Sequence, residues 1–452
     1  MTRLSTTDGR AVGLSRADLV DRYRRNRARS RQLFALLSED AYYSQPIALR
    51  HPIVFYDGHL PGFSFNTLVK KALGGSSIDA RLEDLFARGI DPHESAAARP
   101  ETTNVQGRWP SREVVRAFAA EADRLVIDAL ERADIERPGH PLLDRGEAVF
   151  AILEHEEMHH ETLLYMWQRL PFARKAAPPD YRPRTEGGRA PAEWIDVPGG
   201  RATLGVDRTA IPFGWDNESP AWSVDVPGFT IERHDVTNER FLEFVEAGGY
   251  QDARWWTADD WLWRQTEGLA HPLFWERVGE HWAWRGLFGL TPLPASWPVY
   301  VSQAEASAFA RWRGVRLPTE AEFQRAAYGS PEGERRYAWG GDTPTPRHGV
   351  FDFASWDPEP AGSHPDGASA WGVEDLVGNG WEWTGTAFGP FPGFRTLASY
   401  PEYSADFFDG EHFVMKGASP ATVRDLLRPT FRNWFRARYP YVYATFRCVK
   451  PE

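Results

Sequence analysis

The amino-acid sequence predicts a multidomain α plus α/β protein, in which a four-helix bundle precedes a domain of short strands and loops. The chain has 452 residues, more than one ordinary domain needs. Apolar residues recur at helical spacing through residue 172, and short β-type runs alternate with turn residues from residue 193 onwards. The stretch 173–192 is rich in proline, glycine and charge, so we expect domains at 1–172 and 193–452 joined by a linker.

Four segments carry the helical pattern of the first domain. They lie near Ser15–Ser38, Pro52–Leu73, Ser111–Ala133 and Pro141–Leu170. Four long helices favour an up-and-down bundle, and the core of such a bundle is a common place for metal sites built from facing helices. In the second domain, Ser302–Glu305 and Thr319–Glu322 have the capping-box pattern, which predicts that a short helix begins at each.

Two histidines interrupt the apolar stripe of the fourth predicted helix. His155 and His159 are four residues apart, so their rings project side by side. Buried imidazole nitrogens need partners, and a metal ion would satisfy both rings at once. An HxxxH pattern alone fits two ordinary core or half-exposed histidines equally well. His160 and Glu156 lie off the stripe, so they rank lower as ligands.

A third histidine has a matching setting on the second predicted helix. His59 falls on one helical face with Phe55, Tyr56 and Phe63, which makes it the natural third ligand. His51 stands before a proline at the helix start, so we expect it to cap the helix or to support a ligand. The sequence therefore predicts a site with three histidine ligands in the bundle core.

Composition restricts the class of protein. The net charge is −11 and no basic stripe is visible, which argues against a nucleic-acid partner. No run of about 18 apolar residues suggests a membrane span, and the N-terminus lacks the apolar core of a signal peptide. The single cysteine, Cys448, excludes an internal disulfide and fits a reducing cytoplasm, so we expect a cytoplasmic protein. The 20 tryptophans fit broad aromatic packing or cation-binding cages.

Motifs across the second domain resemble those of the formylglycine-generating enzyme, or sulfatase-modifying factor, family, which has a C-type-lectin-like fold. They include GGRATLGV, FTIERHDVTNERFLEFV, RLPTEAEFQRAAYG, VEDLVGNGWEWT and the closing ATFRCVK. The resemblance implies that fold for this half of the chain. Formylglycine-generating enzymes hold copper with a pair of cysteines. This chain has only one cysteine, Cys448, so copper chemistry of that kind is excluded.

The helical half resembles the DinB family, with the HxxxHxE motif at His155, His159 and Glu161. A DinB-type bundle joined to this lectin-like domain resembles the non-heme iron synthase family of ergothioneine, ovothiol and selenoneine biosynthesis. Members of that family use O2 to join a sulfur or selenium donor to the imidazole ring of histidine or of its betaine, hercynine. The resemblance implies an Fe(II) cofactor on His59, His155 and His159, with Glu161 on another helical face as a supporting group.

The same resemblance assigns substrate-binding residues near the end of the chain. Asn433 and Trp434 match the family's RNW segment, whose asparagine and tryptophan help to hold hercynine. A trimethylammonium group favours aromatic faces, which agrees with this role for the tryptophan. The family also implies a tyrosine proton donor, for which Tyr400 and Tyr403 are the candidates. Ordinary packing in a β-domain loop explains both tyrosines more simply.

The donor is where this sequence departs from the better-known branches. Phe435 follows the asparagine and tryptophan, where the mycobacterial branch has an acid that engages γ-glutamylcysteine. An uncharged sugar tolerates loss of that acid, and Trp434, Phe435, Tyr439 and Tyr441 could offer it a flat aromatic face. The chain therefore most resembles the selenoneine synthase branch, which takes a selenosugar. The expected partners are hercynine, this donor and O2, with no nucleic acid and no membrane.

Three other functions stay open on the sequence. The first is an ergothioneine-type sulfoxide synthase that uses γ-glutamylcysteine or cysteine as its thiol donor. The second is a thiol-dependent DinB-type transferase with a divalent metal and no oxidation. The third, more remote, is a glycan-binding lectin-like protein with a structural bundle. Dependence on O2 would separate the first from the second, and loss of activity without His155 would separate an enzyme from a lectin.

Overall fold

The first part of the computed structural model is a bundle of helices, and the structure describes residues 15–87, 109–187 and 192–451. The helices of the bundle are α1 Arg16–Ala35, α2 Ile53–Ser64, α3 Ala80–Leu85, α4 Arg112–Arg132 and α5 Glu147–Arg169. The four long ones fall in the four predicted segments, which confirms the bundle. The short helix α3 was not predicted.

Local sequence explains where the long helices begin and where one of them changes. Ser15 caps α1 by accepting a hydrogen bond from the backbone N–H of Asp18 at 3.2 Å, and Ser111 caps α4 in the same way. Helix α2 contains Pro61, which has no N–H to donate, and from Phe65 the chain continues as a π-helix to Ala72. The single helix predicted for Pro52–Leu73 is therefore an α-helix that changes to π-helical hydrogen bonding at Phe65.

The second part of the chain is a set of small sheets with short helices between them. Its strands are β1 Trp194–Val197, β2 Gly200–Leu204, β3 Trp222–Val226, β4 Phe229–Glu232, β5 Trp275–Val278, β6 His281–Arg285, β7 Leu290–Pro292, β8 Gly329–Ser330, β9 Gly333–Glu334, β10 Gly380–Ala387, β11 His412–Ala418, β12 Asn433–Arg436 and β13 Ala444–Thr445. The helices are α6 Asn238–Glu246, α7 Ala258–Thr266, α8 Gln303–Arg313 and α9 Glu320–Tyr328. Both predicted capping boxes are present, at the starts of α8 and α9.

The largest sheet positions the candidate substrate residues. Its strand order is β12-β11-β10-β13, with β13 parallel to β10 and the other pairs antiparallel. Strand β12 is at the edge and carries Asn433, Trp434 and Phe435 opposite Met415, Val414 and Phe413 of β11. Because side chains alternate along a strand, Trp434 points to the opposite face of the sheet from Asn433 and Phe435.

Helix α5 joins the two parts of the molecule. It packs on α1 and α2 inside the bundle and also contacts loops of the second domain. The indole N–H of Trp381 donates to Glu161 at 2.7 Å, and Ser399 donates to Glu147 near the start of the helix. The apolar core is continuous from the bundle into the second domain. The helix that carries two of the predicted ligands therefore lies at the junction of the domains.

Candidate metal centre and substrate site

The structure brings the three predicted ligands together. Each of His59, His155 and His159 offers one ring nitrogen, and within the described residues these nitrogens all lie within 4.8 Å of one another. His59 and His155 are buried and His159 is half-buried. The Nε2 atoms of His59 and His155 are 3.3 Å apart. Metal–nitrogen bonds of about 2.1 Å would place two ligand nitrogens roughly 3 Å apart, so the spacing suits a metal ion.

A backbone hydrogen bond sets the orientation of His59. Its Nδ1–H donates to the carbonyl oxygen of Phe86 at 2.7 Å, which leaves the lone pair of Nε2 facing the other two rings. This contact depends on Gly58, because a Cβ at that position would lie 2.4 Å from the Phe86 ring. The glycine thus allows the Phe86 segment to approach α2 closely enough to support the ligand.

The chemistry of the three rings favours a metal over a proton. Burial lowers the pKa of His155 and His159 well below the ordinary value, and it lowers the pKa of His59 to about 4. At neutral pH the imidazoles are therefore uncharged, with lone pairs available. The Nδ1 atoms of His155 and His159 are buried and have no hydrogen-bond partner among the described residues. Three neutral imidazoles in such a site fit a divalent transition metal.

Aromatic rings enclose the cluster. Phe63 stacks on His155 with 3.6 Å between ring centroids, and Phe55 stacks on His59 at 4.9 Å. His51 stacks on the outer side of Phe55 at 4.1 Å and is not part of the cluster. The prediction that His51 is not a ligand agrees with this placement.

The other polar groups of α5 face away from the cluster. The Nε2 atom of His160 lies 3.0 Å from the hydroxyl of Ser30, and Glu156 accepts hydrogen bonds from Ser30 and Arg27, both on α1. Glu161, expected to support the ligands, instead accepts from Trp381 and Thr422 of the second domain. That expectation is wrong because the face of α5 that carries Glu161 is covered by the second domain.

The two candidate tyrosines have different surroundings. The ring of Tyr400 is 6.2 Å from that of His155 and 5.3 Å from that of Phe63, and burial raises its pKa above the ordinary value, so its hydroxyl stays protonated. Tyr403 stacks on Trp215 at 4.0 Å, and its hydroxyl donates to the sulfur of Met158 at 3.2 Å. Tyr400 therefore lies beside the histidines, whereas Tyr403 packs against Trp215 and Met158 farther from them.

Trp434 belongs to an aromatic cluster that reaches the histidines through these tyrosines. Its indole stacks on Phe388 at 4.3 Å with the rings nearly parallel, and its edge meets Tyr403 at 5.1 Å. Tyr403 in turn contacts Tyr400 at 5.7 Å. The side-chain oxygen of Asn433 accepts the backbone N–H of Trp434 at 2.9 Å, which ties the two residues together.

Phe435 lies in a second aromatic group on the other face of β12. It stacks on Tyr439 at 5.0 Å, and Tyr439 meets Tyr441 at 4.9 Å. The predicted flat face of four aromatic residues is therefore wrong for one member, because strand alternation turns Trp434 away from the other three. The sequence analysis also missed Arg50, whose guanidinium lies over the Phe435 and Tyr439 rings.

Comparisons with known proteins agree with this architecture. Residues 181–452 match the sulfatase-modifying factor enzyme 1-like domain, and residues 22–163 match the DinB superfamily. The hercynine oxygenase of Mycolicibacterium smegmatis is 37% identical over 331 residues, which cover 71% of this chain and 73% of that protein. The ergothioneine biosynthesis protein 1 of Neurospora crassa is 27% identical over 502 residues, covering 92% of this chain and 55% of that protein.

Among solved structures, PvdO from Pseudomonas aeruginosa is similar to this protein over 58% of this chain and 95% of its own chain, with 18% identity and a TM-score of 0.39.

The fold and the histidine cluster define a protein in which a DinB-type bundle presents a candidate metal centre to a sulfatase-modifying-factor-like domain. The chain belongs to the ergothioneine-type family that combines these two domains. No helix in the described ranges is long and apolar enough to cross a membrane.

Proposed function

We propose that this protein is an O2-dependent non-heme iron enzyme that joins selenium or sulfur to the imidazole ring of hercynine. The observation that carries the proposal is the cluster of three neutral imidazoles from His59, His155 and His159. Relatives named hercynine oxygenase and ergothioneine biosynthesis protein 1 support hercynine as the acceptor. The preferred donor is a selenosugar, and an ergothioneine-type sulfoxide synthase using γ-glutamylcysteine or cysteine is the alternative.

The reaction needs one O2 for each product. The imidazole C–H and the donor Se–H or S–H combine into a carbon–chalcogen bond, which releases two electrons. Oxidation of the chalcogen to a selenoxide or sulfoxide releases two more, and O2 accepts all four to give the new chalcogen–oxygen bond and water. Fe(II) held by the three histidines would supply O2 activation and leave about three positions for other ligands.

The chain's own residues supply positioning and a proton. Tyr400 keeps its hydroxyl proton and lies beside His155, so it is the proposed proton donor. Tyr403 packs behind it and orients its ring. The rings of Phe55 and Phe63 stack on His59 and His155 and would keep water away from these two ligands.

Trp434 should determine the preference for hercynine over histidine. A trimethylammonium group on a desolvated indole gains on the order of 1–2 kcal/mol. Trp434→Ala should therefore narrow the preference by roughly tenfold, since 1.4 kcal/mol corresponds to one decade. Calorimetry with both acceptors in the absence of O2 measures this, with Trp222→Ala, an exposed tryptophan at 41%, as the control. Equal affinity of the parent protein for the two acceptors would contradict the assignment.

Phe435 should determine how well a sugar donor is used. Its stack with Tyr439 is proposed to carry the sugar ring, and such aromatic contacts contribute about 0.5–1.5 kcal/mol. Phe435→Asp should raise the KM for a selenosugar roughly threefold to tenfold, whereas Phe435→Tyr should keep it. Steady-state kinetics with a 1-selenosugar measures both variants. An unchanged KM in Phe435→Asp would show that the sugar binds elsewhere.

A further inference from the structure

The carbonyl group that orients His59 comes from the end of a helix too short to be stable by itself. Helix α3 has six residues, Ala80–Leu85, and Phe86, which follows it, supplies the carbonyl oxygen that lies 2.7 Å from Nδ1 of His59. Isolated helices shorter than about 12 residues are marginal in water. Other contacts must therefore fix α3 before the Phe86 carbonyl can hold the ligand.

Glu83 fixes the start of this helix. One of its carboxylate oxygens, Oε1, accepts hydrogen bonds from the hydroxyl of Ser77 at 2.7 Å and from the backbone N–H groups of Ile78 at 2.6 Å and Asp79 at 3.0 Å. Glu83 is only 2% exposed, and a buried carboxylate is costly unless its oxygens are hydrogen-bonded. These contacts therefore hold the loop before α3 and the helix itself in one arrangement.

The same residue ties α3 to the helix that carries His59. The second carboxylate oxygen, Oε2, accepts a hydrogen bond from Nζ of Lys70, and the backbone carbonyl of Glu83 accepts one from Nδ2 of Asn66 at 3.2 Å. Lys70 and Asn66 both belong to the π-helix Phe65–Ala72, which directly continues α2. Glu83 thus connects the two segments that supply the ligand ring and its backbone partner.

Packing fixes the other end of α3. Phe86 is fully buried, with its ring centroid 5.8 Å from that of Phe118 and 6.3 Å from that of Phe55. A carbonyl oxygen can only accept, so its contact with His59 keeps the proton on Nδ1 and leaves the lone pair on Nε2. Movement of α3 would free the ring to rotate and to exchange the tautomer.

We infer that Glu83 is a positioning residue of the metal centre, because it holds α3 where the Phe86 carbonyl fixes the tautomer and the orientation of His59. This inference rests on the proposed function, since the metal that His59 would bind is part of that proposal. Loss of a group that hydrogen-bonds to a ligating histidine costs roughly 10–100-fold in metal affinity. A backbone carbonyl cannot be removed by substitution, so Glu83 is the side chain through which its contribution is measured.

Two measurements on Glu83→Ala test the inference. The affinity for Fe(II), measured under argon by competition with a chelator, should fall roughly tenfold or more. NMR of the metal-free protein with ¹⁵N-labelled histidine reports the tautomer, with the His59 signals assigned from their loss in His59→Ala. In the parent protein Nδ1 of His59 should carry a proton that exchanges slowly with water, and Glu83→Ala should lose this slow exchange. Glu83→Gln can keep the contacts at Oε1, so both readouts should stay close to those of the parent protein.

Two glycine variants test the same carbonyl from the side of α2. Gly58→Ala places a Cβ 2.4 Å from the Phe86 ring, so it should displace that segment and reproduce the NMR change with Glu83 intact. Gly62→Ala lies about one turn later on the same helix, where a Cβ meets its nearest neighbour at an ordinary 3.4 Å. It should therefore match the parent protein in both measurements.

The outcomes separate positioning from a purely structural role. If Glu83→Ala loses stability in denaturant but keeps the slow Nδ1 proton and the Fe(II) affinity, the inference is overturned. If Glu83→Ala does not fold, Ser77→Ala decides, because it removes one contact at Oε1 and should shift both readouts in the same direction to a smaller extent. Parent-like readouts in Ser77→Ala would then overturn the inference. If the parent protein shows the slow Nδ1 proton but binds no divalent metal, the proposed function fails while the role of Glu83 in orienting His59 stands.

Discussion

Replacement of His155 by alanine is expected to remove bound iron and to abolish turnover while the fold persists. His155 supplies one of three ring nitrogens that lie within 4.8 Å of one another, and its Nε2 atom is 3.3 Å from that of His59. Loss of a group that merely supports a ligand costs roughly 10–100-fold in metal affinity, so loss of a ligand should cost more. Iron content, product formation and circular dichroism of the purified variant measure the three expectations.

Two further histidine variants provide the comparison. His59→Ala should behave like His155→Ala, because both supply a nitrogen to the cluster. His51→Ala should be milder, because His51 stacks on Phe55 outside the cluster. If His59→Ala keeps full iron while His51→Ala loses it, the third ligand has been assigned to the wrong histidine.

Replacement of Arg428 by methionine is expected to destabilise the junction between the domains by roughly 3–5 kcal/mol. Its guanidinium donates to both carboxylate oxygens of Glu154 at 2.9 Å and to Glu218 at 2.7 Å. Glu154 directly precedes a ligand on α5, and Glu218 lies in the second domain. Both carboxylates are buried, and Arg22 lies 4.0 Å from Glu154, so removal of the shared partner leaves buried negative charge that is only partly compensated. Chemical denaturation measures the loss.

Further variants separate the effect of unpaired carboxylate charges from the effect of lost side-chain packing. Adding Glu154→Gln and Glu218→Gln to Arg428→Met should recover most of the lost stability, because no buried charge is then left unpaired. Arg424→Met removes a half-exposed arginine 3.3 Å from Asp352 and should cost less than about 1 kcal/mol. A triple variant as unstable as Arg428→Met would show that the arginine acts through its hydrocarbon packing.

The predictable part of the site is the part with a local pattern. His155 and His159 are four residues apart on a helix, and the apolar face that carries His59 is visible in the sequence, so periodicity places all three rings on faces expected to point into the bundle core. The capping boxes that begin α8 and α9 are local in the same sense. The hydroxyl or carboxylate that defines each box lies within four residues of its partner.

The contacts that could not be predicted from the sequence join residues that are far apart in the chain. Arg50 and Tyr439 are 389 positions apart, and Arg428 and Glu154 are 274 apart, so no local pattern relates either pair. Glu161 was misplaced for the same reason, since its partner Trp381 comes from the other domain. The opposite orientation of Trp434 and Phe435 was foreseeable, because neighbouring side chains alternate once Asn433–Arg436 is recognised as a strand.

One competition experiment tests the central claim most directly. The iron-loaded protein is offered hercynine with a 1-selenosugar, the matching 1-thiosugar and γ-glutamylcysteine at equal concentrations, with and without O2, and the products are resolved by mass. The account predicts a product that joins hercynine to the selenosugar and forms only with O2. Dominance of the γ-glutamylcysteine sulfoxide would place the protein in the ergothioneine branch. The absence of any hercynine adduct from iron-replete protein supplied with O2 would contradict the account as a whole.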